Sequence, residues 1–518
     1  MGTGSSSSDG SGPAHGASSE PRSSDMAFKD EPQPLHILFF PFLAPGHLIP
    51  IADMATLFAA RGVRCTILTT PVNAAVIRSA VERANDSFRG TTGGAVAIDI
   101  AIVPFPDIGL PPGVESSPAL SSQEDHDTFF LGLQELREPF DRFLSENHAD
   151  AVVADSFFPW SVDTAAKHGV PRIAFLGSSM FATACIDSTV RNNTVEASPD
   201  DPDAVVSLPG LPHRVELIRS QMTDPKKRPE ERNFFQSLNA ADQRSYGEVF
   251  NSFHELEPDY VEHYRTTLVR RAWLVGPVAL ASQDLSARGT SELSADADHF
   301  LRWLDAKPDG SVVYVSFGTL SSFSPKDMRE LARGLDLSGK NFVWVNGSDT
   351  DATEWMPEGF AELMAPRGER GLTIRGWAPQ MLILNHPAVG GFVTHCGWNS
   401  TLEAVAAGVP MVTWPLNFDQ FYNEKLVVEV LKVGVGVGSL DYASKLENRR
   451  VIGGEAIAGA IGRVMGDGEE GDAIRKKATE LGVKARGALE KGGSSWDDVG
   501  RLMDELMARR SSVTVDVN

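Results

Sequence analysis

The sequence predicts an α/β protein made of two doubly wound halves, and three observations carry that expectation. In the amino half, short apolar and β-branched runs alternate with helical patterns: Leu35–Phe40, Arg64–Thr69, Ile98–Val103, Ala151–Ala154 and Arg172–Leu176 read as buried strands. Apolar periodicity then disappears over Ala279–Asp298, where SQDLSARGTSELSADAD reads as a linker. Strand signals resume at Ser311–Ser316 and Asn341–Val345 and continue into a strand, turn, helix and strand between residues 389 and 415. A chain of 518 residues, 42% hydrophobic, is too long for one ordinary core and sufficient for two.

The elements divide the chain as follows. Residues 1–32 are rich in Ser, Gly and Pro and read as a disordered tail, without the apolar segment of a signal peptide. Residues 33–278 form the first half, 279–298 the linker and 299–488 the second half; 489–518 hold a last helix, whose apolar spacing is clear in SSWDDVGRLMDELMARR. A net charge of −22 argues against nucleic acid or an anionic membrane as a partner. Three scattered cysteines, Cys65, Cys185 and Cys396, give neither a disulfide framework nor a zinc site, and no apolar run is long enough for a membrane span. A reducing, cytoplasmic setting is expected. It also suits Asn399-Ser-Thr401, a glycosylation sequon that a glycan would turn into an obstruction.

The densest chemistry lies between Trp377 and Gln420. VGGFVTH (Val389–His395) reads as a strand, TLEAVAAG (Thr401–Gly408) as a helix stopped by glycine, and VPMVTWP (Val409–Pro415) as the next strand. The turn Cys396–Ser400 therefore opens a helix at the carboxyl end of a strand, where free N–H groups and the helix dipole favour a phosphate. His395, Asn399 and Ser400 add hydrogen-bonding groups. Ser400-Thr-Leu-Glu403 also matches a capping box, which needs no ligand. Trp377 with Gln380 on one side and Asp419 with Gln420 on the other bring three successive strand ends to one crevice and favour the ligand reading.

A second set lies near the amino end. HILFFPFLAPGHLIP (His36–Pro50) reads as a first strand and a Pro/Gly turn holding His47, with a helix from Leu48. AVVADSFFPW ends its strand on Asp155. Each residue could be a solvated or capping group; together they could form a general base oriented by a carboxylate. Four Asp-x-Asp triplets (Asp125/Asp127, Asp201/Asp203, Asp296/Asp298, Asp349/Asp351) fall in polar loops or helix starts and read as solvated surface, so no metal is expected. Gly434-Val-Gly436-Val-Gly438 follows a helical pattern over Phe418–Lys432 and reads as the end of that helix and a small-residue strand rather than a dinucleotide loop. Phe157, Phe158, Trp160, Phe105 and Phe181 are either a pocket wall or ordinary core.

The Trp377–Gln420 block resembles the signature box of plant secondary-product UDP-glycosyltransferases, and NSFHELEPDY (Asn251–Tyr260), VGP (Val275–Pro277) and YVSFGTLSSFSP (Tyr314–Pro325) extend the resemblance over most of the chain. It implies a GT-B fold, two Rossmann-like doubly wound domains facing a central cleft, with the last helix crossing back to the first domain. It implies that Trp377 stacks on uracil with the Ala378 backbone at the base edge, and that Glu403 meets the ribose. Thr319, His395, Asn399 and Ser400 would hold the diphosphate, and Trp398, Asp419 and Gln420 the sugar hydroxyls. Gln380 belongs to the same donor set, Ser178 is a possible further contact, and His47 would be the base with Asp155 its partner. The implied reaction is inverting glucosyl transfer from UDP-glucose, a co-substrate, to a hydroxyl or carboxyl of a small apolar flavonoid, terpenoid, steroid or hormone, by a monomer without a cofactor. UDP-galactose or UDP-xylose as donor, and a non-catalytic UDP-sugar sensor, are the alternative readings.

Overall fold

Both halves are parallel sheets whose strand order reverses at one point. In the computed structural model, which describes residues 1, 33–89, 94–226, 229–281, 295–319, 321, 323–346, 356–357, 359–360, 370–442 and 449–516, the first half contains nine strands. They are β1 (His36–Phe40), β2 (Arg64–Thr69), β3 (Ile98–Ile102), β4 (Ala151–Asp155), β5 (Arg172–Phe175), β6 (Val205–Leu208), β7 (Val215–Ile218), β8 (Gly247–Phe250) and β9 (Ala272–Leu274). Seven of them pair in the order β3-β2-β1-β4-β5-β8-β9, all parallel, while β6 and β7 form a separate antiparallel hairpin.

The second half contributes β10 (Val312–Ser316), β11 (Asn341–Asn346), β12 (Gly371–Arg375), β13 (Val389–Thr394), β14 (Met411–Thr413) and β15 (Gly434–Gly436). They pair in parallel in the order β12-β11-β10-β13-β14-β15. The near-continuous burial of β1, β4, β10 and β13 is what a parallel sheet covered on both faces requires. The chain order reverses between β1 and β4 in one sheet and between β10 and β13 in the other, and in open α/β sheets ligands bind beyond such points.

The expected strands of both halves are present, shifted by one or two residues at their ends. The hairpin was not legible: its inside/outside alternation covers only four residues on each side of a Pro/Gly-rich turn. The helix expected over Phe418–Lys432 is shorter. Phe418 adopts a left-handed φ of 52°, the helix runs Gln420–Lys425, and a π-helical turn follows at Leu426–Val430. The amino-terminal tail beyond Met1, Asp349/Asp351 and residues 282–294 of the expected linker lie outside the described residues. The end of that linker, Ala295–Asp298, already belongs to the helix Ala295–Asp305.

Leu35–Asn518 form one unit in which an apolar cluster runs from Met180, Phe181 and Leu208 through to Trp398, Leu402 and Phe421, so the two sheets share buried surface. The last helix, Ser494–Asp516, docks on the first sheet: Val499, Leu502 and Leu506 enter its core. The Asp498 carboxylate accepts the Leu274 N–H at 2.8 Å, Ser495 donates to the Gly276 carbonyl at 2.6 Å, and the Arg61 guanidinium lies 4.2 Å from the Trp496 ring centroid. No helix among the described residues is long and apolar enough to cross a membrane.

Candidate active site

The turn after β13 is built to leave backbone donors free. Cys396 adopts φ 64°, a conformation uncommon for a residue with a Cβ; Thr394 Oγ1 accepts its N–H at 3.2 Å and Asn423 Nδ2 donates to its carbonyl at 2.9 Å. The helix Trp398–Ala407 then begins on Gly397 with no side-chain cap. The first N–H groups of that helix thus have no partner within it, at the positive end of its dipole. His395 is wedged beside this turn: a Cβ on Gly397 would lie 2.4 Å from its Nε2, and one on Gly318 would lie 2.9 Å away. Burial pushes the His395 imidazole down to about 4, so it is a neutral hydrogen-bonding group at physiological pH, and its buried Nδ1 has no partner among the described residues. Thr319 lies exposed just past β10, on the other flank of the same switch point.

At the switch point of the first sheet, Asp155 is the last residue of β4 and fully buried, and His47 Nδ1 lies 2.7 Å from its Oδ2. The other carboxylate oxygen accepts the Phe157 N–H at 3.0 Å, which fixes the plane of the group. Burial works against a charged His47, but the Asp155 carboxylate beside it, with a further contribution from Asp419, carries its pKa above the ordinary value. With Nδ1–H donating to Asp155, the lone pair falls on Nε2, and the ring is 20% exposed. Phe42 and Phe157 stand edge-on to the imidazole, with centroids at 5.2 and 5.6 Å. His47 lies in the first turn of the helix Pro45–Ala59, one turn earlier than the expected start at Leu48, because Pro45 suits the first helical position.

The two switch points meet. Asn399 Nδ2 donates to the Gly46 carbonyl at 2.6 Å, Ser178 Oγ donates to Asp419 Oδ2 at 2.6 Å, and Ser179 Oγ donates to Asn423 Oδ1 at 3.0 Å. His47 and Asp419 also shift each other's titration, as groups across one space do. Behind them, Glu257 of the NSFHELEPDY segment accepts the N–H groups of Phe181 and Met180 at 2.7 and 3.4 Å and the Ser252 hydroxyl, holding the start of the helix Met180–Asn192.

Several sequence expectations change at this point. Ser400 and Glu403 do not form a capping box, since the helix begins two residues earlier; both instead accept the Gln380 amide, at 3.0 and 2.7 Å. Gln380 in turn accepts the Tyr314 hydroxyl at 3.3 Å, so both amide hydrogens and its oxygen are used, and it ties the segment of Trp377 and Ala378 to the helix rather than offering donors to a ligand. Trp398 was expected at the sugar, but its indole is 3% exposed and its N–H donates to the Asn251 carbonyl at 2.7 Å.

Gln420 is also buried: its oxygen accepts the N–H groups of Leu416 and Asn417 at 2.9 and 3.0 Å, while Nε2 donates to Asn417, so it shapes the loop before Asp419 and keeps one amide hydrogen. Ser178, a possible donor contact, is bonded to Asp419. Trp377 presents a 41% exposed ring, and Ala378 beside it is buried. Phe158 and Trp160 pack with Phe40 and Phe140, and Phe181 packs on Tyr260, all in the core. Phe157 and Phe105 remain in a chain of rings near His47, joined by Phe42, Phe129, Phe130 and Phe234, none of which the sequence singled out.

A family model described as "UDP-glucoronosyl and UDP-glucosyl transferase" matches residues 227–444. A scopoletin glucosyltransferase of Nicotiana tabacum is 43% identical over 92% of this chain and 99% of its own length. The chain belongs to the plant family 1 UDP-glycosyltransferases. It is a glycosyltransferase with the GT-B architecture. An anthocyanin 3'-O-beta-glucosyltransferase of Gentiana triflora is 42% identical over 91% of this chain and 98% of that one. Among solved structures, Glycyrrhiza uralensis UGT73P12 complexed with glycyrrhetinic acid 3-O-monoglucuronide superposes with a TM-score of 0.85 at 37% identity, covering 93% of this chain and 98% of that one. Medicago truncatula UGT71G1 complexed with UDP-glucose gives 0.75 at 28% identity over 91% and 98%. A UDP-sugar is therefore the co-substrate of this UDP-glycosyltransferase.

Proposed function

We propose that this UDP-glycosyltransferase transfers glucose from UDP-glucose to a hydroxyl of a small planar phenolic plant metabolite, with inversion to a β-glucoside. The observation that carries the reading is the meeting of a base and an anion-binding turn in one cleft: His47, held by Asp155, and the uncapped helix start beside His395, joined through Asn399 and Gly46. His47 Nε2 takes the acceptor proton as the acceptor oxygen forms its bond to the anomeric carbon. The bond to UDP breaks on the opposite face, and the helix start and neutral His395 stabilise the departing diphosphate. General-base help of this kind contributes about 10²–10⁴-fold.

Glucose as donor is supported by the Asp419 carboxylate on the sugar side, which suits neutral hydroxyls and would repel a uronate, and by the glucosyltransferase names of the relatives. The phenolic acceptor is supported by the rings that continue outward from His47, Phe42 to Phe157 at 4.6 Å and Phe157 to Phe234 at 5.6 Å, which favour flat aromatic partners. The first half, residues 33–278, would bind the acceptor and residues 299–488 the donor. A cytoplasmic setting agrees with three free buried cysteines and with an Asn399 side chain engaged by the Gly46 carbonyl, where a glycan could not sit. UDP release from UDP-glucose, UDP-galactose and UDP-xylose, each with coumarins, flavonoids, triterpenes and plant hormones, tests the reading. Release with UDP-glucose and a phenol is expected. Tight UDP binding without release under any pairing would favour a sensor.

A further inference from the structure

Asn423 is fully buried and makes three side-chain hydrogen bonds at the seam between the halves. One amide hydrogen goes to the Cys396 carbonyl at 2.9 Å, fixing the left-handed residue of the anion-binding turn. The other goes to Asp419 Oδ2 at 3.0 Å, and the amide oxygen accepts the Ser179 hydroxyl, also at 3.0 Å. Ser179 caps the helix Met180–Asn192 of the first half by accepting the Ala182 N–H, and its neighbour Ser178 holds the same carboxylate oxygen of Asp419. The sugar-side carboxylate, the phosphate turn and the acceptor half thus converge on one amide.

We propose that Asn423 is a positioning residue that sets Asp419 and the Cys396 turn in register with each other and with the acceptor half, and so governs donor binding. An amide is the one neutral side chain of this size that donates twice and accepts once in a plane. A hydroxyl would serve fewer partners, and a carboxylate would repel Asp419. The inference rests on the reaction proposed above, and acts through Asp419 and the turn rather than by touching substrate.

The test uses Asn423→Asp and Asn423→Ser in the full chain, with KM for UDP-glucose, KM for the acceptor and kcat measured from pH 5.5 to 9. The titratable groups facing Asp419 are His47 from the helix Pro45–Ala59 and the Cys396 thiol from the turn, with Glu424 acting on Cys396 from the helix of Asn423 itself. In Asn423→Asp two carboxylates would face each other across about 3 Å and share a proton, which strongly raises one of their pKa values. The expected result is a UDP-glucose KM raised about tenfold or more, with a titration in its pH profile absent from the parent enzyme. Asn423→Ser should raise the donor KM about fivefold without that titration, and leave the acceptor KM within about twofold.

A residue that only supports the fold would lower the active fraction, and hence kcat, while the surviving molecules kept their KM values. Unchanged donor KM in Asn423→Ser, or donor and acceptor KM moving together, would overturn the proposal even if Asn423→Asp failed to fold. If the parent enzyme itself releases no UDP, it is the reaction that fails; if it turns over and the variants show no donor-specific change, it is the role of Asn423.

Discussion

Two histidines stand at the two switch points, His47 after β1 and His395 after β13, and their surroundings drive them in opposite directions. His47 has a buried carboxylate 2.7 Å from Nδ1, a partly open ring, and a pKa carried above its ordinary value. His395 is enclosed by Gly318 and Gly397, has no charged partner among the described residues, and is pushed down to about 4. One arrangement yields a proton acceptor with a stabilised protonated form. The other yields a neutral hydrogen-bonding group that can sit beside a diphosphate without titrating. Residue type does not distinguish them; the presence of one aspartate at a strand end does.

The most severe way to break this comparison is His47→Ala, which should lower turnover about 10²–10⁴-fold while leaving the UDP-glucose dissociation constant within about twofold, read by UDP release and calorimetry. Loss of both together would mean that the two stations do not divide the work. Asp155→Asn is expected to lower kcat/KM about 10²-fold. It should also move the acid limb: the negative charge raises the His47 pKa, so its removal lets the imidazole become neutral at lower pH, and the limb shifts toward acid. A limb that stayed in place would remove Asp155 from the pair.

Gly397→Ala sharpens the other side. Its Cβ would stand 2.4 Å from His395 Nε2, so the ring must turn away, and UDP-glucose binding should weaken about tenfold with little effect on acceptor KM. The smallest effect is a flat one. In the His47→Ala protein, UDP-glucose affinity should vary by less than about twofold from pH 6.5 to 8.5, because a group lowered to about 4 is neutral throughout. Affinity falling steadily with a midpoint near 7 would mean that His395 binds as a cation.

The same contrast explains what the sequence disclosed. Buried parallel strands announce themselves as local apolar runs, so both sheets were legible, and with them the stations of His47, Asp155, His395 and Thr319. The Ser400–Glu403 pattern misled because a capping box is recognised by spacing, whereas the helix start was set by Gly397 and both side chains were taken by Gln380, which reaches them from another segment. The bond from Trp398 to Asn251 and that from Asn399 to Gly46 join residues 147 and 353 positions apart, and no local pattern encodes them. Asn423 left a faint trace, four residues after Asp419 on one helical face. Of the ring chain Phe42–Phe157–Phe234 only Phe157 was marked, since its members come from three separate segments.

The tuning of the two histidines can be observed directly by following the imidazole nitrogens of 15N-histidine-labelled protein through a pH titration, with His47→Ala and His395→Ala to assign the signals. The expected result is a His47 signal with a midpoint above 6.5, moving to lower pH in Asp155→Asn, and a His395 signal that stays neutral until well below pH 5. Two signals titrating together near 6.5, with no response to Asp155→Asn, would contradict the account.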